Sequence, residues 1–518
     1  MHHAKSGPSK IWLPSLGSLL FLVLFLSLSL SKAGFLLSDA DTGWHIRTGE
    51  FILANYFVPS QDIFSFVTPP PHWTNHQWLS EVIMALVHQF LGLTGIVIFF
   101  SLLISLSYAI LFKLMQQERS NIFLVVFVIL LTIASSIFHW FARPHIFSLL
   151  LFVISYYFLE QFQSRHSQAL YFFPPLILFW VNLHGGFISG FILILTYLIG
   201  NSVKFLLSRD EDKELYRQKA KALTFTFFIC LLVSLINPYG FNMILYPFRL
   251  ISQKLVIDHM AEFQSPNFHH FFLLPFKYFV LLMILLIGIL KKNLDVIEIL
   301  LIILFANMAL FSQRFILLFC IVAAPVFVRN AEWILNQTKS RLVDVFQRKS
   351  NNIRLMDASA RGYLWWVVGI LILTLAVATN RIEHKFDASR KPVEAVKFLK
   401  KASLKGNMFS DDEFGDYIIY SAYPQYKVFI DSRVDTYGVD HFKDYVTVLY
   451  FKPGWEKIIK KYKINWVILN SDSMLSRYLM ERKDWRLIYS DKVANIFMRN
   501  ISENQDILKQ YSHVNYSE

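Results

Sequence analysis

The run IWLPSLGSLLFLVLFLSLSLSKAGF, residues 11–35, is followed almost at once by Ser38-Asp39-Ala40-Asp41-Thr42-Gly43-Trp44-His45-Ile46-Arg47. The first stretch is long and apolar enough to cross a bilayer core, which takes about 20 residues. It follows Lys5 and Lys10 and exceeds a signal-peptide core in length, so it reads as an uncleaved first span. The second stretch places two carboxylates at the mouth of that span.

The same apolar pattern recurs along most of the chain. Of 518 residues, 55% are hydrophobic, 16% aromatic and only 17% charged, where a soluble domain carries about a quarter charged residues. Apolar runs centred near residues 23, 103, 130, 153, 176, 196, 231, 283, 303, 321 and 371 predict about eleven spans. After about residue 380 the composition becomes ordinary. The expected organisation is a membrane domain over 1–380 and a soluble domain over 381–518. The fold class expected is an α-helical polytopic membrane protein with a small C-terminal α/β domain.

The net charge of +13 sits largely in short loops, which favours membrane topology over a nucleic-acid partner. Lys113 and Arg119, Arg165, the cluster from Lys204 to Lys221, Lys291 and Lys292, and the basic stretch 329–361 occupy every second loop. The positive-inside rule then puts the N-terminus in the cytoplasm. Loops 36–92, 139–145, 182–186, 237–275 and 312–314 face outward, and the odd span count puts the C-terminal domain there too. Cys230 and Cys320 lie inside apolar runs and imply no disulfide framework.

Beyond residue 392 strands and helices alternate. Helices are expected over 393–401, 414–421 and 453–462, and strands over 406–410, 427–431 and 464–469. A closing hairpin is expected over 485–489 and 493–499. This pattern predicts a small, partly parallel sheet.

The outward loop 36–92 is too long to be a simple connector and, with Trp44, Trp73 and Trp78, too aromatic to be disordered. Asp39 and Asp41 at its start admit three readings. One is a solvated acidic loop start. Another is a general base acting on an acceptor hydroxyl. The third is a site for a divalent cation, Mg or Mn, shared with His45. At the loop's other end, His76 in Thr74-Asn75-His76-Gln77-Trp78 either belongs to an interfacial aromatic belt or orients a substrate. Arg143 and Arg314 sit at outward span ends, against the charge bias, where a guanidinium either snorkels or binds a lipid phosphate. His184, in Asn182-Leu183-His184-Gly185-Gly186, is placed to line the same mouth.

These residues resemble the GT-C superfamily of multi-span glycosyltransferases that use polyprenyl-phosphate-linked sugars. Asp39 and Asp41 stand where that superfamily has its acidic motif. Asn75-His76 resembles its second loop motif, although the prolines that often follow are missing. Arg314-Phe315 with Pro325 resembles an Arg-Tyr…Pro pattern. More narrowly, Asp41–Glu50, Trp180–Phe187, Ile236–Gly240, Glu262–Pro266 and Val428–Arg433 are similar to a widespread bacterial membrane-protein family of uncertain activity. The resemblance implies an inverting transferase in a bacterial inner membrane. Its partners would be a polyprenyl-phosphate sugar donor, a glycan, lipid or protein acceptor, and membrane lipids. Asp41 or Asp39 would be the base, with His45, Arg47, His76, Arg143, His184 and Arg314 binding substrate. The alternative is a non-catalytic protein that transports or scaffolds an envelope glycan or lipid. The lack of an internal repeat between the halves weighs against it.

Overall fold

The computed structural model describes residues 12–514, apart from 32–33, 117–119, 166–167, 253 and 361. The basic positions Lys5, Lys10, Arg119 and Arg361 fall outside the described residues, as does the side chain of Arg165.

Helices occupy every apolar centre expected from the sequence. In chain order they are α1 (Leu16–Leu30), α2 (Asp41–Asn55), α3 (Trp78–Met115), α4 (Ile122–Ser136), α5 (His145–Arg165), α6 (Phe173–Leu183), α7 (Ile188–Leu207), α8 (Asp210–Val233), α9 (Phe241–Ser252), α10 (Lys254–His259), α11 (Leu274–Ile289), α12 (Val296–Phe311), α13 (Ile316–Gln337), α14 (Arg341–Ser359) and α15 (Tyr363–Ala378). Among the described residues, six apolar helical segments are long enough to cross a bilayer unaided, and four more are apolar but shorter. Helix α8 begins with charged residues and turns apolar only in its second half. On α11 and α12, Leu281, Ile284, Leu285 and Ile303 are exposed, as lipid-facing positions must be. Helix α15 returns to α1, with Trp366 stacked on Phe21 at 4.1 Å.

Loop 36–92 is largely helical. Helix α2 starts at Asp41, whose N–H is taken by the Asp39 carboxylate at 2.9 Å, and an acidic first turn suits the positive helix end. Helix α3 breaks at Gly92, where φ is +58° and ψ −156°, a conformation only glycine adopts without strain. The break separates the loop's second helical piece from the span centred near 103.

Helices α2 and α3 touch backbone to backbone. A Cβ at Gly49 would lie 1.9 Å from the Glu81 carbonyl oxygen, so only hydrogen fits there. On another side of α2, a Cβ at Gly43 would meet Tyr420 at 2.6 Å. Tyr420 belongs to the C-terminal unit, so that unit packs on the same face of the molecule as the loop.

The C-terminal unit contains α16 (Val393–Ala402), α17 (Asp412–Ala422), α18 (Val434–Leu449) and strands β1 (Asn407–Ser410), β2 (Ile464–Asn470), β3 (Trp485–Ser490) and β4 (Ala494–Arg499). The sheet order is β1-β2-β4-β3; β1 and β2 are parallel and the other pairs antiparallel. Both faces are covered, which explains the unbroken apolar run of β2. Trp466 and Ile468 join the core that continues into the membrane helices, whereas Val467 and Leu469 face α18.

One expectation needs correction. Residues 427–431 are not a strand of the sheet. They pair with the loop instead: the Val428 N–H donates to Phe64 O at 3.0 Å, and the Phe66 N–H to Val428 O at 3.2 Å. Helix α18 was not expected either. Its Gly438 (φ +78°) and β-branched residues are poor helix formers, and it is held by burying Phe442, Tyr445 and Val448 beside Phe409 and Phe429.

Gly49→Ala is expected to destabilise the protein by about 1–3 kcal/mol or more through overpacking, read as a lower unfolding temperature in detergent. Gly288→Ala, on α11 with no atom within 4 Å of its would-be Cβ, should leave that temperature unchanged. Equal effects of the two would refute the α2–α3 contact.

Candidate functional site

The turn joining α4 to α5 carries Arg143, and backbone contacts stitch it to the start of loop 36–92. The Ala142 N–H donates to Leu36 O at 2.8 Å, and the Thr42 hydroxyl donates to Ala142 O at 3.1 Å. This sets Arg143 against three carboxylates: Asp39 at 2.7 Å, Asp41 at 2.6 Å and Glu262 at 2.8 Å. Glu262 lies between α10 and α11, in the long loop 237–275. Arg314 approaches Glu262 more loosely, at 4.0 Å, and stacks over Phe263 at 5.0 Å. Three of the loops expected to face outward, 36–92, 139–145 and 237–275, therefore converge on one ionic cluster, with the short 312–314 turn at its edge.

The cluster is electrically uneven. Burial raises the Asp41 carboxyl to about 7; Arg143 opposes that rise, Asp39 and Glu262 add to it, and the Ser432 hydroxyl stabilises the anion. Burial also raises Glu262, but Arg143 and Arg314 outweigh it and hold that carboxyl below its ordinary range. At neutral pH the site thus contains one firmly ionised carboxylate and one poised near its midpoint, the condition that suits a general base.

A second group of side chains lies beside Arg314. The His76 ring stacks on Tyr246 of α9 at 4.4 Å and lies 6.2 Å from His184. Burial lowers His76 to about 4 and keeps it neutral. The His184 Nδ1 accepts the Gly186 N–H at 3.0 Å and meets Ser148 Oγ at 2.7 Å. Tyr246 donates to Asp435 of α18 at 2.7 Å, so the C-terminal unit forms part of this wall.

His45 and Arg47 are placed elsewhere. His45 is almost fully buried and its Nδ1 meets the Glu81 carboxylate at 3.1 Å, behind α2 rather than in the cluster. Arg47 donates to Tyr420 O at 2.6 Å and pairs with Glu50 at 2.5 Å, so it clamps α2 to α17. Asp39, Asp41 and His45 therefore do not converge as a metal-ligand set. Among the described residues no three His, Cys, Asp or Glu side chains are grouped to hold an ion. The cation that Asp39 and Asp41 share is the Arg143 guanidinium.

The remaining quoted stretches position this machinery. Asn182 accepts from Trp78 Nε1 at 3.0 Å and donates to Ile236 O at 2.9 Å. The Tyr239 hydroxyl accepts the Asn75 N–H at 2.9 Å, and Asn75 donates to Glu81 at 2.6 Å. Arg433 is buried between the two units. It binds Asp62 at 2.7 Å and Asp431 at 2.6 Å, over the rings of Trp73 (4.3 Å), Phe64 (4.9 Å) and Trp44 (5.5 Å). The sequence did not place Glu262, Tyr246, Ser432 or Asp435 in the site. The available signal was that Glu262 and Ser432 fall inside stretches singled out for other reasons.

Solved structures share this fold. The archaeal oligosaccharyltransferase AglB of Archaeoglobus fulgidus, in complex with an inhibitory peptide and a dolichol-phosphate, superposes with a TM-score of 0.56 at 11% identity. The match covers 87% of this chain and 68% of that one. The apo form of the A. fulgidus oligosaccharyltransferase gives 0.55 at 11% identity, over 94% and 74% of the chains. ArnT of Cupriavidus metallidurans, bound to undecaprenyl phosphate, gives 0.50 at 10% identity, over 93% and 98%. The fold is of the GT-C type. No protein-family model and no curated protein matches the chain. In this fold the cluster of Asp39, Asp41, Arg143 and Glu262 stands just beyond the end of α1.

Arg433→Met would strand Asp62 and Asp431 as buried charges, and losing one partner of a buried ion pair costs about 3–5 kcal/mol. The expected outcome is a lower unfolding temperature and faster protease cleavage of the C-terminal unit. Unchanged cleavage would show that Arg433 does not hold the two units together.

Proposed function

We propose that this protein is an inverting membrane glycosyltransferase that moves a sugar from a polyprenyl-phosphate carrier to an acceptor hydroxyl. The supporting observation is the ionic cluster at the mouth of α1, in which a buried carboxylate poised near neutrality lies on the same cluster as a loosely committed guanidinium. The GT-C fold adds weight, since two of its solved relatives were captured with dolichol-phosphate or undecaprenyl phosphate.

In this reading Asp41 is the general base. Asp39 positions it, because one Asp39 oxygen holds the Asp41 N–H and the other holds Arg143. Asp41 takes the acceptor proton as the acceptor oxygen forms its bond to the anomeric carbon. The bond to the phosphate oxygen breaks, and the electron pair leaves with the phosphate. Arg314, held only loosely by Glu262 at 4.0 Å, meets the departing phosphate and stabilises its growing charge. Arg143 is fully engaged by three carboxylates, so its part is to hold Asp41 in place. His76, His184 and Tyr246 shape the wall beside Arg314.

The orientation follows from loop charge. The N-terminus is cytoplasmic, and loop 36–92 and residues 381–518 lie together outside a bacterial inner membrane, where the C-terminal domain orients the acceptor.

Purified protein is expected to release polyprenyl phosphate from a labelled polyprenyl-phosphate sugar. Asp41→Asn should lower that rate about 10²–10⁴-fold, and Asp39→Asn by less. Below about pH 7 Asp41 takes up a proton and cannot act as base, so the rate should climb as pH rises through 7. If both variants insert normally and turn over at the wild-type rate, the assignment is wrong. Lipid that stays bound without turnover in the wild type would favour a carrier or scaffold instead.

A further inference from the structure

Away from the ionic cluster, α7 and α8 form a hairpin with a gap in it. Only residues 208 and 209 join the two helices, so they run antiparallel and pack along each other. Between them is a cleft of about 480 Å³, lined by Leu198 and Phe205 of α7 and by Arg217, Lys221, Phe225 and Phe228 of α8. Ser202, Ala220 and Thr224 also line it and are small, so the helices do not close over their bulky neighbours. Phe225 and Phe228 are exposed at its side, where lipid is what covers an apolar ring on a span.

The cleft is graded from charged to apolar. Residues four apart share a helix face, so Lys213, Arg217 and Lys221 form one row on α8, and Thr224, Phe225 and Phe228 continue it. Lys213 lies over the Phe205 ring at 5.5 Å, at the charged end. Among the described residues, the only ion pair on this row is Arg217 with Glu214 at 3.2 Å, and both side chains are more than half exposed. Such a pair holds Arg217 weakly. From Arg217 to Phe228 the face spans about 16 Å at a rise near 1.5 Å per residue, room for most of an acyl chain below a phosphate. Cations at the rim with rings beneath them complement an amphiphile with an anionic head.

We propose that this cleft binds an anionic phospholipid, with its headgroup on Lys213, Arg217 and Lys221 and one acyl chain along Leu198, Phe205, Phe225 and Phe228. The occupant is a bulk lipid of the leaflet at that end of the bundle, not the sugar carrier. Helix α7 starts at Ile188, just after His184 in the wall beside Arg314, and Phe205 stands near its other end. The two ends are on the order of 25 Å apart at the rise of an α-helix, so a carrier seated in the cleft would hold its phosphate far from the proposed site of transfer. The inference therefore does not rest on glycosyl transfer.

Full-length protein, purified in neutral detergent and stripped of lipid, is mixed with phosphatidylglycerol or phosphatidylcholine and read by native mass spectrometry. Wild type is expected to retain phosphatidylglycerol about tenfold over phosphatidylcholine, since each cation near a headgroup contributes about fivefold in affinity for acidic lipid. Arg217→Gln combined with Lys221→Gln should then lower phosphatidylglycerol retention about 25-fold and leave phosphatidylcholine unchanged. Both side chains are exposed, so this double variant folds as wild type does. Lys457→Gln with Lys483→Gln removes the same charge from the C-terminal unit and should change neither lipid. Thr224→Trp fills the cleft with its cations intact and should also lower phosphatidylglycerol retention. Equal retention of the two lipids by wild type, or a double variant that holds phosphatidylglycerol as wild type does, would overturn the proposal. So would unchanged retention in Thr224→Trp, which would reduce the cleft to a charged surface patch. Undecaprenyl phosphate that displaces phosphatidylglycerol at equal concentration would overturn it too, by making the cleft a carrier site.

Discussion

The loop side of this protein is arranged around one half-buried guanidinium. Arg143 meets Asp39, Asp41 and Glu262 within 2.8 Å. Two like charges about 5 Å apart repel by about 3 kcal/mol at an effective dielectric near 20. Without Arg143 the three carboxylates would drive loops 36–92 and 237–275 apart. With it, the loops are drawn to one point beside the end of α1. Arg314 adds a second positive charge at the rim, so the cluster has two cations for three carboxylates. A site balanced in this way needs little to change its protonation, and Asp41 is the member closest to that change.

The C-terminal unit is part of the same construction. It meets α2 through a contact so close that Gly43 admits no side chain against Tyr420. It meets the loop through Arg433, set in a box of three aromatic rings and two carboxylates. A buried cation of this kind contributes little net stability compared with an apolar replacement, yet tolerates no shift of its partners. That makes it suited to fixing where Ser432 and α17 stand relative to α2. Helix α2 is therefore the shared element: it packs on α3 through Gly49, on α17 through Gly43, and presents Asp41 to Arg143.

Membrane chemistry explains why so much of this was readable from the chain alone. In hydrocarbon the backbone must bond to itself, so apolar runs of sufficient length become helices, and all eleven expected centres are helical. The break at Gly92, the separation of α6 from α7 at His184 and the partly parallel sheet follow from local rules of the same kind. Asp39, Asp41, Arg143 and Arg314 could be picked out because charge at span ends is costly and seldom idle.

What the sequence determined by itself was which segments are helical, which residues carry charge at the span ends, and that loop 36–92 is more than a connector. Tertiary structure decided the partners. It sent His45 to Glu81 and Arg47 to Tyr420, brought Glu262 in from a distant loop, and turned residues 427–431 from an expected strand into a bridge to Phe64 and Phe66. It also set Ser432 against Trp44 of α2, nearly four hundred positions away in the chain. The reason is one of range. Hydropathy and backbone propensity act over a few neighbouring residues and can be read along a line. Ion pairs, glycine-mediated contacts and long-range hydrogen bonds depend on distances that exist only once the chain has closed on itself.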